Sequence, residues 1–506
     1  MALFKNLSIK NSTTKLIEIS DFSKGIDCTK DDVILEPNSA VSCYNFSFKD
    51  GSLKECKGFK SLMLPRTKDP DSPEYAVGFV DKDIYSIHYC KEYLEPQGRI
   101  DKIFAYCADN YFYTCRIITY NPNFLLYDRK FTEEPKTMTY KLGGRDYIMF
   151  TNSTEGLVVW DFVNVTKVIK NAPIITSMCV CNDRLLACLD QDRTVVRYST
   201  NKDITTWTLV LKDTDGEIEF NDASGSVNKL VNYLNYAFAI RDYSIARISM
   251  TTEIPTVYHV YTSSSKIYAN TVAVCGDKML MLCPDGIYEF DGNNAKKLDL
   301  KINSMIHYRG NETAVGEYHN GKYFLACRLN YNDNLKIGSE NNEGWKNNSL
   351  ICLDVQTKQL EIVRGVDVRH LKTIKFEYFD KLLATFRTGE TQVIGELTEN
   401  GKDFSTIQHK CWISPLSYLK SQDKIKVIKE FTIDTKYDIT FTLFNESESK
   451  VFNISGSEKP TKIRTVFKGR KIGFKIESDT QYADVSGLTL KVNYVSDKVY
   501  GLEWFF

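Results

Sequence analysis

The sequence predicts an all-β chain: a β-propeller of six or seven blades, joined to a β platform or small sandwich built from its N- and C-terminal segments. Three observations predict it. Between Gly144 and Gly292 one unit recurs, an apolar strand, a polar turn and a second apolar strand, as in Asp146–Trp160, Asn182–Tyr198 and Lys278–Phe290. Alternation on both sides of a turn cluster marks a β-hairpin, and a hairpin repeated at a steady interval marks a repeat architecture. The second observation is the interval. Strand centres at Phe104, Tyr147, Leu185, Tyr236, Met279, Tyr323 and Leu382 are 43, 38, 51, 43, 44 and 59 residues apart. A four-stranded blade takes about 40–50 residues, and the longest step contains a polar insertion, Asn330 to Asn348. The third is the end of the chain, where five segments from Lys424 to Tyr494 alternate apolar and polar residues as antiparallel strands with one buried face do.

The elements follow in order, and three domains are expected: 1–70 an entry segment joining the platform, 71–410 the propeller, and 411–506 a C-terminal antiparallel sheet or sandwich. In the entry segment, Asp50-Gly51 between alternating stretches is a hairpin signal, because glycine accepts positive φ. Gly25 and Gly58 punctuate further turns, and Leu35 to Asn45, with Pro37 near its start, reads as a short helix. Residues 64–75 carry three prolines and form the first boundary. Within the propeller, Tyr236–Ile248, Gly321–Cys327 with Leu350–Asp354, and Asp380–Ile394 repeat the strand–turn–strand pattern. The terminal Gly501-Leu-Glu-Trp-Phe-Phe506 is expected to dock on a core or on a neighbouring subunit.

Composition narrows the function. The 506 residues hold 65 Lys+Arg against 65 Asp+Glu, so the chain lacks the basic surplus of a dedicated nucleic-acid binder. Most of the 14 cysteines lie in apolar strand-like runs without zinc-site spacing; they read as free thiols packed as small hydrophobes, which implies a reducing compartment. No signal peptide and no run near the 18 or so residues of a membrane helix is seen, so assembly in a cytoplasm without a membrane span is expected.

No nucleophile elbow, phosphate-binding loop, dinucleotide fingerprint or His-Glu-x-x-His motif occurs. The six histidines are scattered, and Asp213–Glu219 lacks the oxygen spacing of a calcium loop. The chain is therefore expected not to be an enzyme and to hold no cofactor or metal, although a carboxylate pair for glycoside hydrolysis is not recognisable without geometry. The densest basic run, Lys462, Arg464, Lys468, Arg470, Lys471 and Lys475, is the solvated face of two strands or a contact for an acidic partner or passing DNA.

Three segments carry a resemblance. Phe22–Ile26, Leu35–Val41, Asn45-Phe46 and Asp50–Gly58 form the first, with Gly25, Asn45, Gly51, Leu53 and Gly58 as its marked positions. The second is Asn182-Asp-Arg184-Leu185 leading to Tyr198-Ser and Trp207; the third is Phe467–Ile476 with Ser486-Gly487-Leu-Thr-Leu-Lys-Val492. Together they resemble phage tail proteins of the nozzle, tail-hub and packaged-DNA-stabilisation type, in order along nearly the whole chain. The chain departs from that pattern in being rich in Cys and Lys and in reading Leu35-Glu-Pro37 at the Leu-Pro element. The resemblance implies a non-enzymatic virion component located in the tail. It implies a homo-oligomeric ring, a hexamer being one such arrangement, that continues the DNA channel, passes DNA without reading its sequence and anchors portal, adaptor or fibre proteins. The alternatives are a receptor- or carbohydrate-binding propeller of a baseplate and a glycosidase-type propeller.

Overall fold

The computed structural model describes residues 13–496 except 30–33, 49, 62–78, 81–83, 95–98, 109–110, 117–124, 131, 143–144, 161–164, 170–171, 201, 204–206, 208–215, 253, 376–379, 389–390 and 405. The proline-rich segment 64–75, residues 213–215 of Asp213–Glu219 and the aromatic terminus 501–506 lie outside the described residues. The chain is all-β, with two short 3-10 turns as its only helical pieces among the described residues. It divides into two units: Met1–Gly58, Gln359–Val363 and Thr398–Phe506 form the first, Phe59–Lys358 and Arg364–Leu397 the second. The divisions fall at 58/59, 358/359, 363/364 and 397/398.

The second unit is a succession of small antiparallel sheets, a propeller-like arrangement. Sheets 1 to 5 each have four strands in chain order and begin with Ile84–Leu94, Lys136–Leu142, Ile175–Cys181, Val227–Tyr233 and Tyr268–Cys275. Sheet 6 is built on Val315–His319, Lys322–Cys327 and Ser349–Asp354. Sheet 7 is built on Val368–Lys375, Asp380–Thr388 and Thr391–Thr398, with Gly58–Ser61 beside the last of these. The recurrent hairpins of the sequence are the second and third strands of these sheets, as Met279↔Phe290 and Ile148↔Trp160 show.

The turns between first and second strands have a common cause. Asn182 and Asp183, Leu234 and Asn235, and Asn320 and Gly321 are successive positive-φ pairs. Two such residues between strands make the type I′ hairpin whose twist matches that of the strands, and Asn and Gly tolerate it best.

Apolar cores lie between consecutive sheets. Met149, Leu157, Ile175, Leu185 and Trp207 join sheets 2 and 3; Leu186, Val196, Leu230, Ala239 and Ile248 join 3 and 4; Phe238, Ile240, Met279 and Phe290 join 4 and 5. The first strands of successive sheets contact one another, and that of sheet 7 contacts that of sheet 1, so the series closes on itself.

The first unit is two sheets built from both ends of the chain. One has the order Phe46–Ser47, Leu53–Glu55, Asp484–Ser496, Lys424–Thr435, Thr461–Gly469, with Thr13–Ile19 also paired to Asp484–Ser496. The other runs Ser42–Tyr44, Lys410–Ile413, Gly473–Ser478, Ile439–Phe444, Ser449–Ile454. Between them Trp412 stacks on Phe474 at 5.1 Å and meets the edge of Phe22 at 5.3 Å, while Phe431 packs on Phe441 at 4.6 Å. The expected helix over Leu35 to Asn45 is absent. Pro37 sits at the second position of a turn closed by Ser39 N–H on the Glu36 carbonyl (2.9 Å), and Ala40 pairs with Ile26 instead. Proline presets φ for that turn position as well as for a helix start, and the turn won.

Candidate functional site

The first strands of the second unit carry more polar residues than a purely structural strand needs: Ser86, His88, Thr139, Ser177, Lys229, Glu317, His370, Lys372 and Thr373. They are half-buried or buried, and many of them bond across to the next sheet. His88 Nδ1 meets Thr139 Oγ1 at 2.8 Å, linking sheets 1 and 2. Ile175 N–H donates to Thr151 Oγ1 (3.3 Å) and Leu230 N–H to Ser177 Oγ (3.0 Å), linking 2 to 3 and 3 to 4. Lys229 Nζ donates to the Val272 carbonyl (2.8 Å), Tyr323 OH to the Thr271 carbonyl (2.7 Å), and Thr373 N–H to Glu317 Oε1 (3.1 Å). Ile84 N–H on Gln392 Oε1 (2.9 Å) returns from sheet 7 to sheet 1. The cycle of sheets is thus matched by a cycle of hydrogen bonds. Each satisfies a group that burial would otherwise penalise by about 1–3 kcal/mol.

Electrostatics follow from burial. Desolvation, with the charges of Lys372 and His370, pushes the His88 pKa down to about 3. Burial and the charge of Arg369 push His370 down to about 4. Both imidazoles are therefore neutral at pH 7. Burial also lowers Lys229 to about 8; the carboxylate of Glu317 opposes that shift and Lys372 adds to it. His88 spends its second ring nitrogen on Ser86 Oγ at 2.9 Å, so both nitrogens serve the fold. Glu317 is the one carboxylate on the first strands whose side chain is described, so the carboxylate pair of a glycosidase is not assembled by those side chains. What this arrangement does chemically is lock neighbouring strands at fixed register.

Two buried arginines play the same part farther out. Arg241, fully buried, donates to both Asp222 oxygens at 2.7 Å and to the Gly225 carbonyl, and lies 5.0 Å from the Phe220 ring, so it ties down the crossover between sheets 3 and 4. Arg364 reaches Asp333 (2.7 Å) and Glu340 (3.2 Å) and stacks 3.8 Å over Tyr331, pinning the 330–348 insertion.

The residues singled out in the sequence fall into three groups. In the first unit, Gly25 (φ +63) lies so near Phe48 that a Cβ would sit 2.6 Å from the ring, and Gly51 (φ +82) turns between strands. Asn45, fully buried at φ 60, donates from Nδ2 to the His409 carbonyl at 2.7 Å. A Cβ on Gly58 would meet the Lys402 carbonyl oxygen at 2.1 Å, whereas Gly487 has room for one. Leu53 is core. In the second unit, Asn182 opens the first I′ turn, Arg184 lies 5.7 Å from the Tyr198 ring, and Leu185 and Trp207 share the core between sheets 2 and 3. In the basic run, Lys462 and Arg464 meet Glu430 at 2.9 and 3.9 Å on strand Thr461–Gly469, which also carries exposed Lys468. Arg470 and Lys471 follow in the turn, where Lys471 lies over Tyr418.

Sequence reasoning missed Lys229, Glu317, Lys372, Arg241 and Arg364. Lys229 and Lys372 stand in strand-like text that exposes alternate residues, so nothing marked them as half-buried. Among the described residues, no group of three or more His, Cys, Asp or Glu is placed to hold a metal, and no helix is long and apolar enough to cross a membrane.

No family model matches the chain, and no curated protein matches it. Among solved structures it is similar to BBS1N, determined in complex with ARL6DN, at 11% identity and a TM-score of 0.39, covering 67% of this chain and 98% of that one.

Proposed function

We propose that the chain is a non-enzymatic structural subunit of a bacteriophage tail, of the nozzle, hub or head-closure type. Its second unit is a seven-bladed propeller, and copies of the chain form a closed ring that continues the DNA channel and anchors other tail parts. The observation that carries this reading is where the motif residues go. Nearly all the positions on which the resemblance rests serve architecture: Gly25, Asn45, Gly51 and Gly58 in tight backbone packing, Asn182 in a turn, Leu53, Leu185 and Trp207 in cores. Most of the polar residues of the first strands are likewise occupied by hydrogen bonds within the unit. A conduit is favoured further by the formal net charge of zero, since a strongly basic lumen would hold DNA instead of passing it. The test is co-expression with the portal protein of the same genome, followed by electron microscopy. The reading expects hollow rings of this chain and a stoichiometric complex with portal or adaptor. Failure of both, together with glycan binding by the single chain, would favour a receptor-binding propeller instead.

A further inference from the structure

The larger sheet of the first unit has two open edges. Thr13–Ile19 lies at one side and Thr461–Gly469 at the other, with Asp484–Ser496 and Lys424–Thr435 between them, and no described strand pairs with either outer side. An open edge presents unpaired N–H and C=O groups and is a template for another strand. We propose that these two edges pair with each other between copies of this chain, so that the sheet runs on from one subunit into the next. The inference rests on the ring reading above only in that copies meet; it names the surface by which they do so.

Direction and face agree. Each of the three pairings across the sheet is antiparallel, so the two outer strands run in opposite directions. A second copy added with its core face on the same side therefore meets the first as an antiparallel strand. Ile17 and Ile19 point to the core on one edge, Thr465 and Phe467 on the other, so odd residues must oppose odd ones.

Chemistry then selects the register. Leu16 (61% exposed) and Val466 (55% exposed) are large apolar residues left in water on the outer face. Setting Leu16 opposite Val466 places Glu18 opposite Arg464, whose side chain is 90% exposed and only distantly held by Glu430 at 3.9 Å. A shift of two residues either way sets Leu16 against Arg464 or Lys468 and loses the apolar pair. Cross-strand apolar and opposite-charge pairs each contribute about 0.2–1 kcal/mol. The edge Thr461–Gly469 cannot pair well with itself, because Lys462, Arg464 and Lys468 would oppose like charges. Joining two different edges is a head-to-tail contact, and such contacts close into rings when the rotation permits.

The test uses the full chain carrying Leu16→Cys and Val466→Cys. Within one copy the two positions are three strand spacings apart, about 14 Å, beyond the 7 Å or so that a disulfide spans. A bond between them must join two copies. The expected result is a reducible ladder of oligomers for the double variant and none for either single variant. Glu18→Arg and Arg464→Glu alone should each weaken assembly, and together restore it. A double variant that assembles yet gives no crosslink, or a dimer crosslinked by Leu16→Cys alone, would overturn the edge pairing while leaving the ring reading standing. Crosslinked filaments without closure would keep the pairing and contradict the ring. A chain monomeric at every concentration would overturn both.

Discussion

At the scale of single residues, burial decides what titrates. His88 stays neutral in the fold down to about pH 3, whereas an unfolded histidine protonates near 6.5. Between those values the unfolded chain binds the extra proton, so stability falls as pH drops, by up to about 1.4 kcal/mol per pH unit for one such group. His370, held down to about 4, adds to the same slope. His409 works against it, since Glu477 and Asp479 raise its pKa; its contribution is present at low pH and lost as pH rises. The expected outcome for His88→Gln is a flatter loss of stability between pH 6.5 and 5 than in the natural chain, read by urea unfolding at each pH. The alkaline limb has the opposite sign. Burial pushes Cys275 and Cys283 up to about 12, so they stay neutral in the fold while unfolded thiols ionise near 8.5 to 9. Their contribution is complete below that range and is lost as pH climbs toward 12. Cys283→Ala should therefore lose less stability between pH 9 and 11 than the natural chain, whatever its cost at neutral pH.

The two arginine clamps separate by the burial of their partners. Arg364 faces Glu340, itself buried, so Arg364→Met strands a charge away from water and should cost about 3–5 kcal/mol. Asp222 is 40% exposed, so Arg241→Met leaves a carboxylate that water can solvate and should cost about 1–3 kcal/mol, mostly from the Gly225 carbonyl and the lost packing on Phe220. Equilibrium unfolding of both variants checks the order, and equal costs would contradict it.

At the scale of elements, the strongest text was the middle of each sheet. Second and third strands, such as Lys278–Cys283 with Gly286–Phe290, are dense in apolar residues because both faces meet neighbouring sheets. First strands such as Val227–Tyr233 were harder to read, since they hold polar residues that bond outward, Lys229 to the next sheet and Asn232 to the preceding one. The Asn182-Asp183 motif was legible as a marker, and its cause, a pair of positive φ angles, emerged only with the backbone. Lys229, His88 and Lys372 come from three different sheets, and no spacing rule could bring them together. The short helix read over Leu35 to Asn45 failed because proline serves a turn and a helix start alike. Gly58 is the sharpest element-level test. Gly58→Ala places a methyl 2.1 Å from the Lys402 carbonyl oxygen, a backbone atom that cannot swing aside, and should cost about 1–3 kcal/mol by thermal unfolding. Gly487→Ala, with room for its Cβ, should cost far less.

At the scale of the whole molecule, both units are completed by chain from far away in sequence. Residues 13–19 and 42–55 add strands to sheets otherwise made from residue 410 onward, and Gly58–Ser61 lies beside the last strand of sheet 7. Such closure ties each unit's stability to distant parts of the chain, so truncation before residue 61 should unfold more than the segment removed. It also leaves the larger sheet of the first unit with two unlike edges, one acidic at Glu18 and one basic at Arg464. Native mass spectrometry of the purified chain reads self-assembly through those edges. One dominant species is expected at a fixed multiple of the 58.1 kDa chain, returning to the single chain in Arg464→Glu. A natural chain found only at 58.1 kDa as concentration rises would contradict it.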